Sequence, residues 1–219
     1  MTLLELARGP ALQTALAVFV IGVLWRLLGV VFLRHKKDHS EPRHGGLRPW
    51  IGGLKLIITR SWPHKEFTPR TAFSETVGYL FHIGLAVVVL AYVPHILFIE
   101  DLFGVGWPGL PNALIYATGL VTLFLLVVAL GRRLHHPVLR MLSNFDDYFS
   151  WTVTVLPLIT GFLAVAHLGA RYETLLAWHI LSFELLLVWF PFGKLMHAFF
   201  FFLSRGAAGY AYERKGASS

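Results

Sequence analysis

The sequence predicts an all-α integral membrane protein, a five-transmembrane-helix bundle with its N-terminus outside and its C-terminus in the cytoplasm. Hydrophobic residues make up 56% of the 219 positions and charged residues only 14%, whereas about a quarter of the residues in a soluble domain are charged. The apolar residues stand in long blocks, and about 20 such residues cross the hydrocarbon core of a bilayer. We therefore expect residues 1–219 to form a single membrane domain.

Five apolar stretches are long enough to span a bilayer, and they cover about residues 11–33, 76–99, 111–131, 148–168 and 174–203. We interpret the first as a retained span, because it is too long for a signal peptide and no small-residue cleavage site follows it. Asp146 or Asp147 is expected to cap the fourth span. Segment 34–73 is expected to be an interfacial and cytoplasmic segment, and within it residues 46–70 mix apolar and basic residues around Trp50 and Trp62, which predicts an interfacial stretch on the cytoplasmic side.

Positive charge is concentrated on one side of this topology. Of 19 lysines and arginines, nine lie in 34–73, three in 132–146 and three in 204–219. The positive-inside rule therefore places these segments in the cytoplasm. The net charge of +7 is explained by topology, so we expect a lipid bilayer, and no nucleic acid, as a partner.

Cysteine is absent and eleven histidines are present. The lack of cysteine excludes disulfides, thiolate-bound zinc and iron–sulfur clusters held by this chain. Five histidines lie inside the predicted spans, where ionisable side chains are costly and usually functional. One is His167 at the outer end of the fourth span, and the other four are His82 and His95 in the second span and His179 and His197 in the fifth.

These four histidines are predicted to pair by depth. His179 and His197 differ by 18 positions, about five turns of a straight helix, which puts both rings on one face about 27 Å apart. The second span runs in the opposite direction, so His82 matches His197 near the inner surface and His95 matches His179 near the outer surface. Two facing imidazoles at one depth suit bis-histidine haem ligation. The alternative is four neutral histidines, each hydrogen-bonded to a neighbouring helix.

His95 fits this pairing less simply than the other three. On a straight helix, the 13 positions from His82 to His95 turn the second ring to nearly the opposite face. Pro94 immediately precedes His95, and proline removes a backbone hydrogen bond and kinks a helix. His95 is expected to be a haem ligand only if this turn re-aims it.

The segment "WHILSFELLLVWFPFGKLMH", residues 178–197, resembles the last span of the gamma subunit of respiratory nitrate reductase, the membrane cytochrome b of that enzyme. The shared pattern is a histidine, an apolar run, the tripeptide Phe-Pro-Phe and a second histidine. The second span, with "LFHIG" near its start, also resembles the corresponding span of the family. The likeness covers the second to fifth spans and is weak over residues 1–70.

The resemblance implies two b haems that take electrons from quinol and pass them to an iron–sulfur subunit on the cytoplasmic side. The inner haem would use His82 and His197, and the outer haem would use His179 and a histidine of the second span. The sequence departs from the family at that point. Tyr92 stands where the family has its second histidine, and the nearest histidine is His95.

The loop 99–110 departs from the family as well. It contains Glu100 and Asp101 and no lysine, whereas the nitrate reductase subunit has a lysine there near its quinol. These departures favour the broader group of similar subunits, which also serve complexes of sulfur-metabolising bacteria, over a nitrate reductase proper.

The function expected is that of a b-type dihaem cytochrome in a bacterial cytoplasmic (inner) membrane. It would transfer electrons between membrane quinone or quinol and a cytoplasmic-side iron–sulfur or catalytic subunit, and no catalytic residue for the terminal substrate is expected in this chain. Two alternatives are a haem-free membrane anchor and a small proton-coupled transporter. Glu184 in the fifth span is a possible proton relay; the alternative is a hydrogen bond to a hydroxyl such as that of Thr154, Thr160 or Ser182.

Overall fold

The computed structural model of the chain describes residues 1–33, 39–63 and 65–217, and it is helical without a strand in these ranges. Part of the expected interfacial segment, residues 34–38 and 64, lies outside the described residues. The helices are, in chain order, α1 Leu3–Leu6, α2 Leu12–Val31, α3 Arg48–Thr59, α4 Thr68–Ala91, α5 Val93–Phe103, α6 Asn112–His135, α7 Pro137–Leu142, α8 Phe145–Ala166, α9 Tyr172–Trp189 and α10 His197–Lys215.

Four helical segments of the described chain are long and apolar enough to cross a membrane, and they are Leu3–Val31, Thr68–Ala91, Asn112–His135 and Phe145–Ala166. A fifth is counted if the bent pair of α9 with residues 194–215 is one span. The expectation of an all-α protein with several membrane helices is confirmed, because these lengths and compositions are those of a multi-pass membrane protein.

The second expected span, 76–99, is divided between two helices. α4 ends at Ala91, Tyr92 has extended backbone (φ −83°, ψ 122°), and α5 begins at Val93 with Pro94 in its first turn. Proline has no N–H and disfavours helical backbone at the residue before it. The expectation of one helix over 76–99 is therefore wrong, whereas the expectation that Pro94 disturbs it is confirmed.

The fifth expected span, 174–203, is also interrupted. α9 ends at Trp189, and the helical segment that resumes at Lys194 points 74° away from it. Pro191 lacks the N–H that would continue the helix, and the N–H groups of Phe192 and Gly193 both donate to the carbonyl of Trp189 at 3.0 Å. The straight-helix argument that put His179 and His197 on one face is therefore wrong.

The described residues form two compact units, and the first comprises Met1–Gly9 and Arg70–Phe183. Its apolar core contains Leu126, Val155 and Leu158. The cap of α8 is Asn144, whose side chain accepts from the Asp147 N–H while the Asp147 carboxylate accepts from the Asn144 N–H. The expected aspartate cap is thus wrong in position, because Asp147 completes a capping box from inside the helix.

The second unit comprises Pro10–Pro69 and the described residues from Glu184 onwards. Within it, α3 packs antiparallel on α10, where a Cβ atom on Gly53 would lie 2.8 Å from the carbonyl oxygen of Gly206. α2 approaches the break after α9 equally closely, since a Cβ atom on Gly22 would lie 2.6 Å from Pro191 Cγ. Glycine permits both backbone contacts because it has no side chain.

Candidate functional site

Two of the predicted histidines face one another inside the first unit. The imidazole rings of His95 on α5 and His179 on α9 have their centroids 6.0 Å apart and their planes 14° from parallel. The structure therefore brings together the two residues that were expected to form the outer pair.

Each of the two rings is oriented by a backbone carbonyl. His95 Nδ1 lies 3.0 Å from the carbonyl oxygen of Val88, and His179 Nδ1 lies 3.0 Å from that of Pro157. A carbonyl only accepts hydrogen bonds, so in both neutral rings Nδ1 carries the proton and Nε2 keeps its lone pair. Metal-binding histidines commonly donate their second ring nitrogen to a carbonyl in this manner.

The break at Tyr92 determines where His95 points. Interrupting the helix releases backbone carbonyls that are costly to leave unpaired in a bilayer. The carbonyl of Leu90 accepts from Trp107 Nε1 at 2.6 Å, and that of Ala91 accepts from the Leu110 N–H at 2.9 Å. With the His95 bond to Val88, these contacts hold the broken turn in the geometry that aims His95 at α9.

His179 is positioned by α8. A Cβ atom on Gly161 would lie 3.2 Å from His179 Cε1, so glycine at this position gives the ring its space. Thr160 Oγ1 lies 2.9 Å from Ser182 Oγ, joining α8 to α9 one turn along from the ring. The role of Gly161 is not predictable from the sequence, because a glycine within a span indicates close packing without identifying its neighbour.

The centroid separation of the pair equals that of two imidazoles bound to one metal. Imidazole nitrogen binds a metal at about 2.0–2.1 Å, so two rings on opposite sides of one ion have centroids about 6 Å apart. The observed separation is 6.0 Å. In the part of the chain that the structure describes, no three His, Asp or Glu side chains form a group able to hold a bare metal ion. A pair of neutral histidines instead suits iron whose other four ligands come from a porphyrin.

The other two predicted ligands, His82 and His197, lie in different units. His82 Nδ1 lies 2.7 Å from the carbonyl oxygen of Gly78, and His197 Nδ1 lies 2.8 Å from that of Lys194. In neutral rings with this bonding Nδ1 is the donor and Nε2 keeps its lone pair. Their pairing around an inner haem stays a prediction from the sequence.

Tyr92, at the position where the resemblance expects a haem ligand, packs against His95. The two ring centroids are 5.1 Å apart with planes 88° from parallel, and a second edge-on contact joins Tyr92 to Tyr116. Tyr92 thus lies beside the histidine that faces α9. Its extended backbone supplies the break that re-aims His95.

Glu184 is buried on α9, with 5% of its surface exposed, and its Oε1 atom has no hydrogen-bond partner. Thr160 and Ser182, two of the hydroxyl types considered as its partners, bond to one another, while Thr154 donates to the carbonyl of Ser150. A buried carboxyl oxygen without a hydrogen-bond partner is costly, which is the property expected of a group retained for function.

Comparison with known proteins finds a relative that matches nearly the whole length of this chain. No protein-family profile matches the chain, and no solved structure matches it. A protein of Nitratidesulfovibrio vulgaris is 34% identical to it over 220 residues, which cover 96% of this chain and 94% of the relative. The match covers nearly the whole of both chains, but the relative carries only the name "Protein", so it names no activity.

Proposed function

The chain belongs to the family of this Nitratidesulfovibrio vulgaris protein, and we propose that it is a b-type dihaem cytochrome, the membrane subunit of a respiratory oxidoreductase complex. It transfers electrons between the quinone pool and a cytoplasmic-side iron–sulfur or catalytic subunit. The terminal chemistry is assigned to that partner, because iron–sulfur clusters are held by cysteine thiolates and this chain has no cysteine.

The facing rings of His95 and His179 carry this proposal. These two residues would hold the outer haem through Nε2, while the carbonyls of Val88 and Pro157 fix their tautomers. Haem bound there supplies reversible one-electron transfer. The chain's part is to bind the iron from both sides, to orient the two rings and to surround them with apolar helices that exclude water.

The inner haem is assigned to His82 and His197 on the strength of the sequence. Both rings have Nδ1 bonded to a backbone carbonyl of their own segment, the same tautomer that supports the outer pair.

We propose a five-span topology with the N-terminus outside and the C-terminus in the cytoplasm of a bacterial inner membrane, because basic residues are concentrated in 34–73 and basic segments remain on the cytoplasmic side.

Quinol oxidation releases protons as well as electrons, and Glu184 is the residue we assign to proton transfer. It is buried within a candidate span and its Oε1 atom is unpartnered. Such a carboxyl group is able to take up a proton and pass it on without first breaking an ion pair. The proposal that quinol is the electron donor rests on the resemblance to the nitrate reductase gamma subunit.

One observation favours a second candidate, a haem-free membrane anchor. The Nδ1 atom of His179 lies 3.4 Å from Thr160 Oγ1 as well as 3.0 Å from the carbonyl of Pro157. A purely structural histidine joining two helices would make such contacts. The anchor does not account for the second ring, that of His95, facing His179 at a metal-binding separation.

The test is a reduced-minus-oxidised visible spectrum of the protein purified from haem-replete cells. A b-type α band with about two haems per chain supports the proposal, and the absence of a band leaves the anchor. Adding a quinol analogue under anaerobic conditions then tests the electron donor. Reduction of the haems by the quinol supports the proposed direction of transfer, and haems that respond only to dithionite contradict a quinol-oxidising role.

A further inference from the structure

The outer face of α3 is an exposed apolar stripe. Leu47, Ile51, Leu54 and Ile58 are 77%, 63%, 61% and 63% exposed. Their spacing of four, three and four positions places them on one side of the helix. Trp50 and Trp62, near the two ends of the stripe, are exposed as well. Contiguous apolar surface of this kind marks a site of contact with a partner or a membrane.

The opposite face of α3 is fixed against α10. The buried side consists of Pro49, Gly52, Gly53 and Leu56, and a Cβ atom on Gly209 would lie 2.5 Å from the carbonyl oxygen of Gly52. Trp50 packs edge-on against Tyr210 with centroids 5.0 Å apart. These contacts leave no room for α3 to rotate, so its apolar stripe is held outward.

The charged residues of segment 47–62 have a single sign, and the nearest acid packed against α3 is Glu213 of α10, beside Gly52 on the buried face. Residues 47–62 contain Arg48, Lys55 and Arg60, and they contain neither Asp nor Glu. Arg205 of α10 adds a fourth cation, since it donates to the Arg60 carbonyl and stacks on Phe201 with 4.3 Å to the ring centroid. An apolar stripe flanked by basic residues and aromatic rings is typical of a helix lying in a membrane interface.

The direction of α10 supports the same placement. The segment containing α10 is bent 74° from α9, and the 18 residues of α9 measure about 27 Å, nearly the thickness of the hydrocarbon core. If α9 crosses the bilayer, α10 runs close to the membrane plane. α3 lies antiparallel along α10, so α3 runs in that plane too.

We propose that α3 and α10 form an interfacial helix pair in which α3 inserts its apolar stripe between lipids and binds anionic headgroups through Arg48, Lys55 and Arg60. The complementary charge selects anionic phospholipid over zwitterionic phospholipid as the occupant of this surface. This inference concerns a lipid-binding surface and does not depend on haem or quinol. It goes beyond electron transfer by assigning the chain a lipid preference.

The absence of cysteine allows a direct test on the full chain. Ile51→Cys, Leu54→Cys and Ile58→Cys carry a nitroxide on the stripe, and Thr59→Cys is the matched control on the adjacent exposed face. In vesicles that contain phosphatidylglycerol, the three stripe labels should be relaxed by oxygen and shielded from a water-soluble nickel chelate, relative to the control. If the stripe labels were as accessible to the chelate as the control label, membrane insertion of the stripe would be overturned.

A second measurement tests the lipid preference. A fluorophore on Leu54→Cys should be quenched more by brominated phosphatidylglycerol than by brominated phosphatidylcholine. Adding Arg48→Gln, Lys55→Gln and Arg60→Gln should bring the ratio toward one, with each basic residue contributing up to about fivefold. A ratio of one before these substitutions would overturn the anionic preference. Stripe labels that become shielded only after native membrane extract is added would identify a protein partner and reject the lipid.

Discussion

The imidazole planes of His95 and His179 lie 14° from parallel across a centroid separation of 6.0 Å. Both rings are held by backbone carbonyls, at 3.0 Å from Nδ1 in each case. The pair is thus set by the backbones of α4, α5, α8 and α9, and a ligand bound between the rings meets an arrangement already formed. Such preorganisation reduces the cost of binding.

The near-parallel planes predict a particular electronic signature for the outer haem. Parallel imidazoles act on the same iron d orbital, so they separate the two orbitals that perpendicular imidazoles would leave nearly equal in energy. Low-temperature electron paramagnetic resonance of the oxidised protein should therefore show a rhombic low-spin spectrum from one haem. If all haem present gave the highly anisotropic low-spin type, the observed ring orientation would not be that of the ligands.

Gly161→Ala tests whether the space beside His179 is required. The new Cβ atom would lie 3.2 Å from His179 Cε1, so the ring has to shift, and the fraction of outer haem in the low-spin state should fall. Gly131→Ala in α6 is the matched control, because nothing lies within 4 Å of its Cβ position. Equal haem content and spin state in the two variants would show that Gly161 does not position the ring.

Trp107→Phe tests the carbonyl contacts at the helix break. Removing the indole N–H leaves the Leu90 carbonyl without its 2.6 Å partner, which should lower the free energy of unfolding by about 1–3 kcal/mol. Outer-haem occupancy should fall with it, because the broken turn positions His95. Trp25→Phe, at an exposed position of α2, serves as the control in thermal melts and haem counts. Indistinguishable melting temperatures for the two variants would refute this role.

Glu184→Gln tests the proposed proton relay. Glutamine keeps the size of the side chain and cannot exchange a proton, so quinol-driven electron transfer should slow by at least about tenfold while haem content is unchanged. Glu173→Gln alters an exposed carboxylate at the start of the same helix and should leave the rate as it is. An unaltered quinol oxidation rate in Glu184→Gln would leave this carboxyl group without a part in proton transfer.

The helical class is predicted from the sequence because it depends on local signals, whereas the pairing of His95 with His179 is predicted from their matched depth in two antiparallel spans. Apolar blocks of span length predict membrane helices, and Pro94 predicts a disturbance next to His95. The sequence does not show how the disturbed turn is completed. Its carbonyls accept hydrogen bonds from Trp107 and Leu110, which lie in the following loop. Such tertiary contacts leave no periodic pattern in the sequence.

Two residues predict the interruption after Trp189, but the length of the apolar stretch around them favours one continuous span. Pro191 and Gly193 both disfavour a continuous helix, yet the hydrophobic run on either side satisfies the length of a span. Gly161 is missed for a different reason. Its neighbour, the His179 ring, comes from another helix, and a single sequence does not state which helices meet.

His95 and His179 are proposed to bind one iron from opposite sides. Haem content and low-spin fraction should be measured on purified His95→Ala and His179→Ala, with Tyr92→Phe as the control for packing beside the pair. Each alanine variant should lose low-spin character at one and the same haem, while Tyr92→Phe should retain both haems. Two low-spin haems per chain in either alanine variant would contradict it.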